Sequence, residues 1–136
     1  MTTHLDDIRT FLGKVHTVAT VKHIGEHSES VDKIADASFQ KIKVFAGELI
    51  GSRFSLYTER HTVRIAETSE ANLIVAFNNI LIGIEKHNTR QAITGWVYAS
   101  YPTLCYINFV NGMEAEKFRT NRWYRNIFID VTWSTS

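Results

Sequence analysis

The clearest alternation of apolar and polar positions lies in the stretch "RTNRWYRNIFIDVTWSTS" that closes the chain. Odd positions read Trp123, Arg125, Ile127, Ile129, Val131 and Trp133, and even positions read Tyr124, Asn126, Phe128, Asp130, Thr132 and Ser134. Successive side chains of a strand point to opposite faces. The pattern therefore predicts a strand with its odd face in a core, made of the β-branched and aromatic residues that suit a half-buried pleated surface. Arg122 and Tyr124 have the opposite parity from Ile127 and are left available for contact.

Helical spacing marks two further regions. Leu5, Ile8, Leu12 and Val15 recur at i, i+3, i+7, i+10, with Thr3 and Asp6 as a loose capping box, which predicts an N-terminal helix. Ser69 stands as an N-cap before Glu70 to His87, where Leu73, Phe77, Ile80, Leu81 and Ile84 form an apolar stripe. Lys86 and His87 suit the negative end of that helix, and Asn88 is a stop signal.

Other stretches admit more than one reading. "HTVATVKHI" is β-branched and extended, and "GEHSES" is a loop. Val31 to Ile50 repeats by threes and fours behind a possible Ser30 cap and predicts a helix. After Gln40, however, "KIKVFAG" also alternates as a strand would, so residues 41–50 stay open between helix and strand. "SRFSLYTERHTVRIAE" is strand material, either two strands with a turn near Thr58 to His61 or one long strand. "AITGWVYAS" and "TLCYINFV" flank the single proline, Pro102. Asn111-Gly112 is a turn signal that closes a hairpin or opens a longer connection. Helices early and strands late predict one α+β domain over residues 1–136, mainly an antiparallel sheet with two or three helices on one face.

Composition narrows the function classes. The 136 residues are 44% hydrophobic, which allows a substantial core. Lys and Arg number 15 against 14 Asp and Glu, so the net charge of +1 gives no drive toward nucleic acid or an anionic membrane. Cys105 is the one cysteine, so no intrachain disulfide forms, and its apolar neighbours predict a buried, inert thiol. There is no basic-then-apolar leader and no run near the ~18–20 apolar residues of a membrane span, which predicts a soluble, cytoplasmic protein.

Chemistry is harder to find. His16, His23 and His27 are the only histidines near one another, and they lack the spacing of a zinc site. No Gly-x-Ser-x-Gly is present, and the seven glycines are too dispersed for a phosphate loop. The carboxylate pairs Asp6/Asp7, Glu67/Glu70 and Glu114/Glu116 fall at helix starts or turns, where capping and solvation account for them. The expectation is no catalytic residue, no metal and no cofactor. Aromatic residues are instead concentrated late: Trp96, Tyr98, Tyr101, Tyr106, Trp123, Tyr124 and Trp133, beside Arg119, Arg122 and Arg125. Tyr, Trp and Arg are the residues that anchor protein interfaces. Arg122, Tyr124, Trp96 and Arg119 are the interface candidates.

The element order carries a resemblance. An N-terminal helix, strand material, a strand running into a capped helix ("HTVRIAETSEANLIVAFNNILIGIEKHN") and terminal strands ending "RWYRNIFIDVTWSTS" resemble the tail-terminator and tail-completion proteins of tailed phages. The likeness covers the last 80 residues or so and lies in architecture, not in a motif. It implies a non-enzymatic assembly protein, in the virion, forming a homo-oligomer such as a ring and binding other assembly proteins. A small enzyme or small-molecule-binding domain, with its cavity between sheet and helices, and a general protein-interaction adaptor are the alternatives.

Overall fold

The computed structural model describes residues 3–16, 20–24, 41–45, 47–93 and 104–134. Within them lie α1 (Thr3–Val15), β1 (Thr20–Ile24), β2 (Lys41–Phe45), β3 (Glu48–Arg53), β4 (Leu56–Glu67), α2 (Glu70–Asn88), β5 (Leu104–Gly112), β6 (Glu116–Arg119) and β7 (Arg122–Ser134). The chain is an α+β protein with one sheet, ordered β1-β2-β4-β7-β5, in which β3 also pairs β4 and β6 also pairs β7. β1 and β2 are parallel, and every other pair is antiparallel.

Two long strands organise the sheet. β4 and β7 pair along their length, from Leu56 opposite Ser134 to Glu67 opposite Trp123. Each has an antiparallel neighbour in two pieces: β2 then β3 along β4, and β5 then β6 along β7. The hairpins close at Phe54–Ser55 and at Thr120–Asn121. Asn121 is left-handed at φ 57, which a short polar side chain tolerates.

Both helices lie on one face. Ile42, Val44, Val63, Ile65, Ile107, Ile127, Ile129 and Val131 project from the sheet into a core with Ile8, Phe11 and Leu12 of α1 and Leu73, Ala76, Ile80 and Ile84 of α2. Burying a side chain of this size contributes about 1.5–3 kcal/mol, so these rows of alternate residues hold helices to sheet. The odd positions of β7 are the buried ones near its centre, while Asp130 and Thr132 are only half-buried, as the alternation predicts. Ser69 caps α2 by accepting a hydrogen bond from the Asn72 backbone N–H at 3.1 Å. Gly83 of α2 allows the close approach of Val15, since a Cβ there would overlap the valine side chain.

Three open readings resolve and one expectation changes. Residues 41–45 and 48–50 are strand, because Ile42 and Val44 reach the core only when β2 lies along β4; residues 31–40 of the expected helix lie outside the described residues. The turn within "SRFSLYTERHTVRIAE" is at Phe54–Ser55, before Thr58, and β4 is then one long strand. Asn111 and Gly112 make no turn, since they stay in β5 opposite Phe128 and Ile127, and the connection to β6 is longer. Cys105 is half-buried, because a register shift between Leu104 and Tyr106 takes it out of the inward row. "GEHSES" and residues 94–100 of "AITGWVYAS" also lie outside the described residues.

Candidate interaction surfaces

The even residues of β4 and β7 form the face of the sheet opposite the helices. It is tied together across strands. Arg60 donates to both carboxylate oxygens of Asp130, at 2.8 and 3.1 Å. The Thr58 and Thr132 hydroxyls lie 3.1 Å apart, and Arg64 Nε donates to Asn126 Oδ1 at 3.1 Å. The Arg64 guanidinium lies 5.3 Å from the Phe45 ring and 5.8 Å from the Tyr124 ring, a cation held between two aromatic faces. Burial pulls the Arg64 pKa down from its usual value. The Tyr124 hydroxyl donates to Glu116, which raises its pKa because the bond needs the neutral phenol.

The second surface is the β3–β4 arm. Every residue of β3 is exposed. Leu49 is 57% exposed, Ile50 43%, Leu56 41% and Phe54 85%. Phe54 and Ser55 both have positive φ, 51 and 65. A two-residue hairpin turn with two left-handed residues is normally Asn-Gly or Asp-Gly. A bulky aromatic residue in that region costs ~1–2 kcal/mol, and here it projects into solvent.

The expected interface residues fall at the other end of the sheet, where Glu67 meets Trp123. Arg122 and Tyr124 are half-buried in β7, and Arg119 stands opposite Arg122 across the β6–β7 turn. Trp96 lies outside the described residues. Arg122 donates to the Asn121 carbonyl at 2.7 Å. Sequence reasoning missed the arm, whose one visible signal was the run of apolar residues Leu49, Ile50, Phe54 and Leu56 in a short β stretch.

Among the described residues three histidines are buried: His16, His61 and His87. His16 lies 3.6 Å from the Glu67 carboxylate and 3.1 Å from the Asn79 amide, and both His16 and Glu67 are at most 2% exposed. His61 bonds the Phe45 carbonyl at 2.9 Å, tying β4 to β2. His87 packs edge-on to Phe11 at 5.4 Å. Burial first, and the charge of Arg90 second, push its pKa down to about 4 against a partial opposing hydrogen bond to the Leu104 backbone. A groove of about 240 Å³ is lined by Lys14, Asn79, Gly83 and Lys86 among others, and neither His16 nor Glu67 reaches it. Among the described residues no three His, Cys, Asp or Glu side chains are grouped to hold a metal. Nor is any helix there long and apolar enough to cross a membrane.

No protein-family model matches the chain, and no curated protein matches it.

Proposed function

We propose that this protein is a non-enzymatic assembly protein that works by associating with copies of itself and with other assembly proteins. The supporting observation is the β3–β4 arm, with four large apolar side chains in solvent, one of them Phe54 at its strained tip. Exposed apolar patches of this kind mark interaction sites. A strained backbone position is kept where the exposed side chain is of use. The opposite end of the sheet, with Arg122 and Tyr124, provides a second contact surface for a different neighbour. This arrangement accords with the resemblance to tail-terminator and tail-completion proteins, which implies a homo-oligomer that also binds other assembly proteins.

The test is mass in solution by light scattering across a concentration series, together with the double variant Arg122→Ala/Tyr124→Ala. Self-association of the wild type is expected. The double variant is expected to lose binding to a partner while the chain stays folded, its unfolding midpoint lowered only by the lost Tyr124 contacts to Glu116 and Arg64. A chain that stays monomeric at every concentration and binds none of the proteins encoded beside it overturns the reading.

A further inference from the structure

We infer that two copies of this chain join edge to edge through β3, antiparallel and about a two-fold axis, with Glu48 of each copy against Arg53 of the other. This rests on the reading of self-association above and names the surface that performs it. Among the described residues β3 pairs only with β4, and all six of its residues are exposed. Its outer backbone N–H and C=O groups therefore face water, in the position from which an edge strand accepts another strand.

Charge and register favour a second copy. The strand reads Glu48-Leu49-Ile50-Gly51-Ser52-Arg53, acidic at one end and basic at the other. Antiparallel pairing with itself, centred between Ile50 and Gly51, sets Glu48 opposite Arg53, Leu49 opposite Ser52 and Ile50 opposite Gly51. Residues directly opposite in such a ladder share a face. In an unbroken strand Glu48 and Arg53 would lie on opposite faces, because they are an odd number of positions apart. The register shift between Leu49 and Gly51 removes that obstacle. Glu48 stands beside Arg60, and Arg53 beside Leu56, both even positions of β4 on the helix-free face. The bulge thus makes the strand complementary to itself. Parallel pairing would instead place Glu48 on Glu48.

Shape extends the match by one position. The next pair is Phe54 opposite Gly47 of the second copy. Gly47, Glu48, Arg60, Thr62 and Phe128 line a depression of about 340 Å³ on the helix-free face. The Phe54 ring, 85% exposed and 5.1 Å from the Arg53 guanidinium, comes to the mouth of that depression. The pairing also closes. The outer edge of β5 is bonded to Asn88 and Arg90, so β3 cannot add to β5 of the next copy to make an open fibre.

Charge-reversal mixing tests this. Glu48→Arg and Arg53→Glu each place like charges together twice per dimer, and each is expected to weaken dimerisation about tenfold or more. An equimolar mixture of the two restores opposite charges at both contacts and is expected to return to wild-type affinity by sedimentation equilibrium. Because Glu48 also neighbours Arg60, a second measurement avoids reversal altogether. In a Cys105→Ser background, Leu49→Cys mixed with Ser52→Cys should cross-link between copies faster than either variant alone, as directly opposite positions suit disulfide geometry. A wild type that dimerises while both reversals dimerise equally well, or cross-linking without that selectivity, overturns the edge pairing and leaves self-association standing. A wild type that is monomeric throughout overturns both.

Discussion

Two edge strands of this sheet, β5 and β3, are treated in opposite ways. On β5 the Asn88 side chain donates to the Ile107 carbonyl at 2.6 Å and accepts from the Ile107 N–H at 3.0 Å. One amide thus reproduces the two bonds of a neighbouring strand. Arg90 adds a bond from its guanidinium to the Cys105 carbonyl at 3.0 Å. On β3 the described residues place nothing against the outer edge, and the strand stays exposed on both faces. An unpaired edge invites another strand, and proteins ordinarily block it. Here one edge is blocked by the end of a helix while the other carries apolar residues into solvent. The difference separates an edge that only needs protection from one suited to use.

The strongest way to break this comparison is to remove what both edges share. Ile129 is 2% exposed in β7, beside β4 and β5, and anchors the sheet beneath both. Ile129→Ala is expected to cost ~2–5 kcal/mol, read as a lower urea midpoint. An unchanged midpoint would show that the inward face has been wrongly placed. Next comes the blocked edge itself. Asn88→Ala leaves the Ile107 N–H and C=O without their side-chain partner, at a cost of about 1–3 kcal/mol. Amide exchange at Ile107 should speed up markedly, and continued slow exchange would mean that something other than Asn88 protects the edge.

The open edge responds in the other direction. Replacing Phe54-Ser55 by Asn-Gly puts residues suited to positive φ into the turn. The isolated chain is expected to gain about 1–2 kcal/mol while self-association weakens. A substitution that stabilises the chain and leaves association intact would free Phe54 from any role in contact. The last test is one of pH. His87 neighbours Asn88 in the last turn of α2, and its pKa falls from 6.5 to about 4 on folding. The unfolded chain therefore takes up the proton first. The stability that comes from keeping His87 neutral is complete above pH 6.5 and is lost as pH falls toward 4. Acid should loosen the β5 edge before the β3 arm, and His87→Phe should flatten that dependence. Exchange measured at pH 7 and pH 5 separates the two edges directly.

Much of the fold was legible because its signals are local. The Ser69 cap, the stripe from Leu73 to Ile84 and the alternation around Ile127, Ile129 and Val131 each lie within one element, where the period of the backbone imprints itself on the residue order. Those features determined the α2 helix, the inward face of β7 and the α+β class. Residues 41–50 were not legible, since a short run such as "KIKVFAG" fits either period and only pairing with β4 selects the strand. The turn at Phe54–Ser55 carries none of the Gly, Asn or Asp that positive φ favours, so no hairpin signal announced it. Asn88 read as a helix stop, and its role as a surrogate strand depends on Ile107, 19 residues further along the chain. Which edge is open, and which residues face one another across it, was decided by tertiary structure alone. Hydrogen bonds across strands join groups distant in sequence, and a single bulge can reverse the face of every residue beyond it.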